Sequence, residues 1–420
     1  MRQQKSIFDT IDWTTVLIYL ALVIFGWINI YAAVYDERFQ SIFDTTQRYG
    51  KQMLWIVLAI IISLAILVVD GKFYEAFAYY IYGFFMLALL LVLLIARDVK
   101  GAVSWIDIGS FKLQPSEFTK FGTCLALAKF LSEPYTRMTE NKTKIIAALI
   151  CLVPMALILM QNDTGSAMVY ASFIFVMYRA GLSQNFLIIG FITILIFVLA
   201  LMIPKLVLAG VIIGVSALGA LFLRRTMKNI LMLAFIAIVG CAMVYGVDYV
   251  FNEVLQTHQR ERIEVLLGKR ADPKGAGYNV NQSLIAIGSG GLTGKGFLQG
   301  TQTKYDFVPE QATDFIFCTV GEEWGFIGTT ILMAMFLWLL IRIVMIAERQ
   351  KNNFVRMYGY GVASIIFFHI FINIGMTIGL LPVIGIPLPF FSYGGSSLWS
   401  FTILLFILIK LDSYRMFVLR

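Results

Sequence analysis

Charged residues are scarce in this chain of 420 amino acids. Asp, Glu, Lys and Arg make up 14% of it, whereas hydrophobic residues make up 59%. A water-soluble globular protein has about 25% charged and about 45–50% apolar residues, so this composition excludes a soluble fold. No stretch is both long enough and polar enough to form a separate soluble domain. The sequence predicts an all-α polytopic membrane protein with a single membrane domain over residues 1–420.

Cysteine and histidine are also rare. The four cysteines stand alone among apolar residues, without a CxxC pair, and they are Cys124, Cys151, Cys241 and Cys318. This spacing is not typical of a disulfide framework or a zinc site, so we interpret them as small core residues. His258 and His369 are too few to indicate a zinc or haem site by themselves, although folding could bring other ligands beside either one. A metal site, if there is one, would use carboxylates.

Long hydrophobic runs fill most of the chain. A helix of about 20 apolar residues crosses a bilayer core, because it satisfies its backbone polar groups internally. The runs lie near 13–34, 52–70, 74–96, 116–132, 145–161, 164–180, 186–203, 207–223, 229–250, 324–346, 358–380 and 394–411. They predict about 10–12 transmembrane helices. The three runs within 186–250 also allow one span plus a re-entrant or interfacial pair.

Basic residues cluster in alternate loops, as in Lys142 with Lys144 and Arg224 with Arg225. Cytoplasmic loops of membrane proteins carry such an excess of Lys and Arg. The pattern predicts that both termini are cytoplasmic and that the long polar stretch 251–311 is extracytoplasmic. The net charge of +8 is therefore interpreted as membrane topology, not as nucleic-acid binding.

Ionisable side chains inside the apolar runs are candidates for a functional site, because each costs about 2.5 kcal/mol or more in hydrocarbon. Pro115 suits a helix start, after which Glu117 and Lys120 lie on one helix face. A self-neutralising ion pair without a function is the alternative interpretation. Asp163 lies in a hinge between two apolar runs, where a plain Asx turn is the alternative.

Two later segments interrupt the apolar pattern. Asp314 and the GEEWG motif at 321–325 precede the run near 324–346, where acidic residues are ordinary for a helix start. The segment PVIGIPLPFFSYGGSS at 382–397 contains three prolines and three glycines. Broken backbone at membrane depth is tolerated where it is buried in protein or lines a cavity. We interpret this segment as a cavity wall.

The glycine-rich stretch GSGGLTGKG at 288–296 superficially resembles a phosphate-binding loop. It lacks the GxxxxGK[ST] spacing between a strand and a helix, so the nucleotide-binding interpretation fails. Its backbone amides and Lys295 could still bind an anionic head group.

Six long motifs occur in a fixed order along the chain. They are KGAVSWIDIGSFKLQPSEF at 100–118, QNDTGSA at 161–167, DPKGAGYNVNQSLIAIGSGGLTGKGF at 272–297, GTQTKYDFVPEQATDFIF at 300–317, GEEWG at 321–325 and GLLPVIGIPLPFFSYGGSS at 379–397. Together they resemble the SEDS family (shape, elongation, division and sporulation), membrane glycosyltransferases that polymerise lipid II into peptidoglycan. The resemblance covers most of the chain. The GTQT and FVPEQ motifs are more similar to the elongation type than to the division type.

The chain departs from the usual family pattern at several positions. Ser104 stands where an arginine is usual, Asn162 where a proline is usual, and Ala312 where a histidine is usual. Any phosphate or acidic contact of that arginine is therefore not expected at Ser104. Family members usually have ten spans, and we interpret residues 186–228 as an extra helical pair outside the catalytic machinery.

The resemblance implies that Asp272, in the DPKGAGY motif, is the essential catalytic group. A lone Asp-Pro would otherwise be interpreted as a turn. The implied chemistry is inverting transfer of a glycan chain from the lipid-diphosphate donor, lipid II, to an acceptor sugar hydroxyl, in cell elongation and shape control. Diphosphate leaves as a stable anion, so one general base suffices, whereas glycoside hydrolysis needs a second carboxyl as acid.

The departing diphosphate needs nearby positive charge. The candidates are Lys120, Lys274, Lys295, Arg262 and Arg270, with Mg²⁺ or Mn²⁺ as a further candidate. The residues assigned to an outward-opening substrate cavity are Trp105, Gln114, Glu117, Lys120, Asp163, Lys274, Lys295, Ser392 and Ser396.

The resemblance further implies a class B penicillin-binding transpeptidase as partner, together with other membrane proteins of the elongation complex. The chain itself lacks the SxxK and KTG motifs of a transpeptidase. Undecaprenyl diphosphate would be the released carrier, and the bacterial cytoplasmic (inner) membrane would be the location.

Two other functions remain as alternatives. A lipid II flippase or transporter would also have many spans and broken helices, but it usually shows two similar halves and a site near the bilayer midplane. A non-catalytic scaffold of a cell-wall complex would explain the long loop without chemistry, and it predicts that Asp272 is dispensable.

Overall fold

A computed structural model of the chain describes residues 10–35, 41–95, 104–108, 111–222, 226–255, 257–267, 276–305 and 307–416. Up to residue 182 the elements are α1 (Trp13–Ala33), α2 (Arg48–Val68), α3 (Gly71–Ala76), α4 (Ala78–Ile95), β1 (Ile106–Ile108), β2 (Phe111–Leu113), α5 (Pro115–Ser132), α6 (Asn141–Met160), α7 (Thr164–Met168), a 3₁₀ turn Val169–Ser172 and α8 (Phe173–Arg179). The remaining elements are α9 (Gln184–Met202), α10 (Lys205–Phe222), α11 (Met227–Tyr249) continued by a π-helical turn Val250–Val254, α12 (Thr257–Leu266), α13 (Ala276–Gly290), α14 (Thr301–Lys304), α15 (Ile316–Glu348), α16 (Asn353–Thr377), α17 (Gly395–Ser413) and a 3₁₀ turn Tyr414–Met416.

The fold is helical, apart from the β1–β2 hairpin within the described ranges. Ten of the described helices are long and apolar enough to cross a membrane: α1, α2, α4, α6, α9, α10, α11 with its π-helical turn, α15, α16 and α17. The all-α polytopic prediction is therefore confirmed. The runs near 116–132 and 164–180 are also helical, as α5 and as α7–α8, but they are not among these ten.

The chain divides into two compact units. The larger one contains residues 1–182 and 279–420, and the smaller one contains residues 183–278. Within the smaller unit, the region 186–250 forms three long helices, α9 to α11, that expose most of their apolar side chains. Their length and composition favour three spans over one span with a re-entrant pair.

Burial explains why α5 can be so much more polar than a lipid-facing helix. Most residues of α5, α16 and α17 are buried inside the larger unit, including Glu117 and Lys120 on α5. A helix enclosed by other helices can carry polar groups, because they pair with protein instead of facing lipid. The predicted start of α5 at Pro115 is confirmed.

Charged residues join the start of α1 to the ends of α15 and α17. Asp12 caps α1 by accepting from the Thr15 amide at 3.1 Å, and it also accepts from Arg349 at 2.9 Å. Arg349 in turn pairs with the buried Asp412. Burial alone would raise the pKa of Asp12, but the hydrogen bonds from Thr15 and Arg349 outweigh it and hold this pKa below its ordinary value. We name this group the terminal ion network.

The glycine-rich stretch repairs a break in α15. Gly325 has φ 64° and ψ −159°, so the helix is interrupted there. The carbonyl oxygens of Glu322 and Glu323 accept instead from the amides of Lys295 and Gly296, each at 3.0 Å. These two amides are therefore not available to an anionic head group, which corrects that interpretation of the stretch.

The amides beyond the break are satisfied by the same stretch. Phe326 donates to the Gly291 carbonyl at 2.9 Å, and Ile327 donates to the Leu292 carbonyl at 3.1 Å. Buried backbone groups left unpaired in a membrane cost several kcal/mol each. The glycine-rich stretch thus replaces the helical hydrogen bonds that the break removes.

Replacing Gly294 with alanine should destabilise the fold. Gly294 has φ +80°, and a Cβ there would overlap the carbonyl oxygen of Glu323. The strained backbone alone costs about 1–3 kcal/mol. We expect a lower midpoint in thermal unfolding of the detergent-solubilised protein. Gly288→Ala is the matched control, because its Cβ would meet nothing within 4 Å on an exposed face of α13. Equal midpoints for the two variants would contradict the role of the glycine-rich stretch.

Candidate functional site

The start of α5 meets the hinge that contains Asp163. The Gln114 side chain donates to Asp163 Oδ2 at 2.8 Å, and Ser116 Oγ donates to the same oxygen at 3.3 Å. Asp163 Oδ1 accepts from the amide of Ser166 at 3.0 Å and so caps α7. Asp163 therefore forms the Asx-type cap of the alternative interpretation, and it also joins two of the predicted polar segments.

The residue before Asp163 fits this hinge. Asn162 has φ 58°, in the left-handed region, which asparagine tolerates and which proline, with φ fixed near −65°, cannot reach. The proline that is usual in the family would not fit this backbone.

Glu117 and Lys120 form a buried ion pair one turn into α5. Lys120 Nζ lies 2.8 Å from Glu117 Oε1, and the two side chains are 1% and 3% exposed. Lys120 Nζ also lies 3.0 Å from His369 Nε2 and 5.0 Å from the centre of the Phe401 ring. The second carboxylate oxygen of Glu117 has no hydrogen-bond partner within the described part of the chain. Lys120 is thus enclosed by groups from α5, α16 and α17.

His369 is a site residue that the sequence analysis did not select. It lies on α16, and its Nδ1 is 3.1 Å from the carbonyl oxygen of Pro387 in the broken segment. The signal was present, because an ionisable side chain within the apolar run 358–380 is costly in lipid. The two histidines were considered only as possible metal ligands, and the sequence does not show that His369 meets the Glu117–Lys120 ion pair.

The broken segment 382–394, interpreted from the sequence as a cavity wall, is hydrogen-bonded to α16 and to the turn before α15. Asn373 on α16 donates to the carbonyl oxygens of Ile386 at 2.7 Å and Asp314 at 2.8 Å. Ser392 Oγ donates to the Thr313 carbonyl at 2.6 Å. Side chains thus satisfy backbone groups that a regular helix would satisfy itself.

Ser396 joins α17 to the start of α5. Its Oγ donates to the Lys112 carbonyl at 3.3 Å and accepts from the Gln114 amide at 3.2 Å. Because Ile106 of β1 pairs with Leu113 of β2, the hairpin leads the chain directly into this contact. Trp105, another predicted cavity residue, immediately precedes β1 and is half-buried.

Lys295 forms an ion pair with Glu322. Both residues are distant in sequence from the Glu117–Lys120 pair. Lys295 Nζ lies 2.7 Å from Glu322 Oε1, with 25% of the lysine side chain exposed and none of the glutamate. Glu322 also accepts from the amides of Thr301, Gln302 and Thr303 at 2.7–2.9 Å. We name this group the Glu322 cradle.

The cradle corrects the interpretation of GEEWG as a helix-start motif. The helix α15 begins at Ile316 and is interrupted at Gly325, so Glu322 lies in the last turn before the break and not in a first turn. Its carboxylate projects onto the GTQT segment and accepts hydrogen bonds from the amides of Thr301, Gln302 and Thr303. The sequence could not show this contact, because its partners, Thr301 to Thr303, precede Glu322 by 19–21 positions. This separation is far beyond the three or four residues that bring side chains together on one helix.

Replacing Glu322 with glutamine should unfold the cradle. The amide side chain offers one acceptor oxygen and would turn an NH₂ group toward donors, so at least one charged hydrogen bond of about 1.5–3 kcal/mol is lost. We expect a lower thermal midpoint and faster proteolysis at 295–305. Glu140→Gln, at an exposed glutamate whose side chain caps no helix, is the control and should leave both unchanged.

Several predicted residues cannot be placed. Asp272, Lys274 and Arg270 lie outside the described residues. Arg262 lies on α12, in the smaller unit. Among the described residues no three His, Cys, Asp or Glu side chains are grouped so as to hold a metal ion, so the predicted Mg²⁺ or Mn²⁺ gains no ligand set there.

An apolar groove of about 550 Å³ runs beside α5 in the larger unit. Its walls come from α2, α3, α4 and α17, and Phe121 reaches it from α5. Phe121 follows Lys120 directly in sequence, so one turn of α5 contributes both to the groove and to the buried ion pair.

Comparison with known proteins identifies the family of this chain. The FtsW/RodA/SpoVE family model, described as cell cycle protein, matches residues 12–209 and 188–416. Peptidoglycan glycosyltransferase RodA of Treponema pallidum is 32% identical over 96% of this chain and 98% of its own length. Peptidoglycan glycosyltransferase MrdB of Escherichia coli is 34% identical over 94% of this chain and 92% of its own.

Solved structures show the same fold. A chain from a structure describing the coordination of polymerization and crosslinking by a peptidoglycan synthase complex superposes with a TM-score of 0.69 at 28% identity, covering 96% of this chain and 98% of that chain. The crystal structure of Thermus thermophilus rod shape determining protein RodA gives a TM-score of 0.63 at 24% identity, covering 96% and 97%. Since the family model and these relatives span nearly the whole sequence, this chain belongs to the FtsW/RodA/SpoVE family of multi-pass membrane proteins.

Proposed function

We propose that this protein is a peptidoglycan glycosyltransferase of the elongation type, which polymerises lipid II with inversion at the donor sugar. The observation that carries the proposal is the end-to-end match to relatives named peptidoglycan glycosyltransferase RodA and MrdB. The buried polar groups at the start of α5 support it, because ionisable groups within apolar helices are costly and mark candidate functional sites.

In the proposed reaction Asp272 removes the proton of the acceptor hydroxyl. The hydroxyl oxygen then bonds to C1 of the donor sugar while the bond from C1 to the diphosphate oxygen breaks. The electron pair leaves with undecaprenyl diphosphate, and the proton stays on Asp272 until water removes it. A single displacement of this kind inverts the configuration at C1.

Positive charge must stabilise the departing diphosphate. Lys120 and Lys295 each lie against a carboxylate in this structure, so their charges are already balanced. We therefore assign the diphosphate first to Lys274 and Arg270, which flank Asp272 in sequence, with Arg262 as a further candidate. Cavity residues that stay proposed are Trp105, Gln114, Glu117, Lys120, Asp163, Lys295, Ser392 and Ser396.

The apolar groove suits the lipid part of the substrate. Its lining is almost wholly aliphatic and aromatic, and it adjoins α5 next to the buried ion pair. An isoprenoid chain gains from such a surface only through close packing, because lipid outside is equally apolar. We assign one lipid chain to this groove.

The proposed setting is the bacterial cytoplasmic membrane, with both termini cytoplasmic and the 251–311 loop outside. A class B penicillin-binding transpeptidase is the proposed partner, with other elongation-complex proteins. The structural relative from a peptidoglycan synthase complex that couples polymerization with crosslinking supports this assignment. The helical pair within 186–228 is proposed to lie outside the catalytic machinery.

The function is tested with purified protein and lipid II, alone and with its cognate transpeptidase blocked by a β-lactam. Glycan strands longer than a dimer, resolved by gel, are the expected product. In liposomes, movement of fluorescent lipid II between leaflets without polymer would support a flippase. Neither product, from a complex that crosslinks supplied glycan when the β-lactam is left out, would support a scaffold and overturn the proposal.

A further inference from the structure

His369 is fully buried near the middle of α16, and both of its ring nitrogens have partners. Nε2 faces Lys120 Nζ at 3.0 Å, and Nδ1 faces the Pro387 carbonyl oxygen at 3.1 Å. The ring meets Phe401 edge-on, with centroids 4.8 Å apart and planes at 89°. The imidazole therefore has a fixed position between α5, α17 and the broken segment 382–394.

These partners determine where the proton lies. A carbonyl oxygen can only accept, so Nδ1 must carry the hydrogen. The ammonium of Lys120 can only donate, so Nε2 must offer its lone pair. The ring is then neutral, with a defined tautomer, and it is a second acceptor for Lys120.

The second acceptor differs from the first in one respect. Glu117 lies on the same helix as Lys120, three residues earlier, and so it moves together with the lysine. His369 lies on another helix, and it hydrogen-bonds to a segment that belongs to neither. The direction of the Lys120 side chain is therefore set relative to α16 and to the broken segment.

We propose that His369 is a positioning residue that fixes Lys120, and through it Glu117, relative to the broken segment by hydrogen bonds from Lys120 to Nε2 and from Nδ1 to Pro387. This inference rests on the proposed function in so far as the ion pair belongs to the substrate cavity. The positioning itself is a property of the fold and can be measured without substrate.

The chain offers a matched control. Asn373 lies one turn further along α16 and also donates to the broken segment, at the carbonyl of Ile386 next to Pro387. It differs from His369 because no hydrogen bond joins it to Lys120 among those described. Asn373→Leu therefore removes a similar anchor without removing the acceptor of Lys120.

The first experiment measures thermal unfolding in a double-mutant cycle. His369→Leu is made alone and together with Lys120→Met, and Asn373→Leu is treated in the same way. We expect the shift caused by His369→Leu to fall by at least half when Lys120 is absent, while the shift caused by Asn373→Leu stays the same. Equal shifts for His369→Leu in both backgrounds would overturn the proposal. If His369→Leu does not fold, His369→Asn replaces it in the cycle.

The second experiment measures lipid II polymerisation. His369→Leu should lower kcat at least tenfold and change KM less than threefold. His369→Gln should restore kcat to within threefold of the native value, because its amide oxygen can accept from Lys120 while its NH₂ donates to Pro387. Equal losses in His369→Gln and His369→Leu would overturn the proposal. If native protein makes no polymer, the proposed function fails, and the unfolding cycle alone decides the role of His369.

Discussion

Replacing Asp272 with asparagine is expected to lower the rate of lipid II polymerisation at least about 100-fold, because a positioned general base typically contributes about 10²–10⁴-fold. Asparagine keeps the size of the side chain and its acceptor oxygen, but it cannot take a proton at neutral pH. Alanine should give the same loss. The rate is measured with the transpeptidase partner present, so that a missing activator does not imitate a missing base.

The control for this prediction is another carboxylate of the same loop. Glu253 lies at the start of the 251–311 stretch and is exposed. Glu253→Gln removes one negative charge from the loop, as Asp272→Asn does, and it should keep the native rate. Full activity in both Asp272 variants, with partner binding intact, would refute the assignment of the base and favour a scaffold.

Replacing Lys120 with methionine is expected to destabilise the fold by about 3–5 kcal/mol, because it leaves Glu117 as an uncompensated buried charge. Glu117→Gln, which strands the buried ammonium, should have a similar effect. The double variant should be more stable than either single variant, because no buried charge then remains. Thermal unfolding in detergent, followed by tryptophan fluorescence, measures all three.

A partly exposed ion pair made by another lysine of α5 gives the comparison. Lys129, near the end of α5, lies 3.4 Å from Glu75, and these side chains are 30% and 34% exposed. Pairs with such access to water contribute little, so Lys129→Met should shift the midpoint only slightly. Similar shifts for Lys120→Met and Lys129→Met would show that the Glu117–Lys120 pair is not buried as described.

Hydropathy predicted the spans well because each apolar helix is recognised from its own residues. The start of α5 could also be predicted from neighbouring residues, because Pro115 marks it. The polar contacts of the site were not local. His369 and Lys120 are 249 positions apart, and no pattern within either helix shows that they meet.

The role of the glycine-rich stretch needed the structure for a different reason. Its glycines indicated a backbone that can adopt unusual conformations and approach another group closely. An anion site and a contact with another backbone both require such a segment. The break at Gly325, about 30 residues later, decides between them. Likewise, the acidic pair in GEEWG fits a helix start by composition, but α15 begins at Ile316 and breaks at Gly325, so the pair lies in the last turn before the break.

The terminal ion network can form only late in the synthesis of the chain. Asp12 is synthesised 400 residues before Asp412, which shares Arg349 with it. At about 5–20 residues per second, the ribosome needs about 20–80 s to cover that distance. Arg349 follows Asp12 by 337 positions, so α1 is synthesised long before its capping carboxylate gains this partner. Asp412, near the end of α17, therefore completes a network that begins at the start of α1, and a chain released before α17 cannot close it.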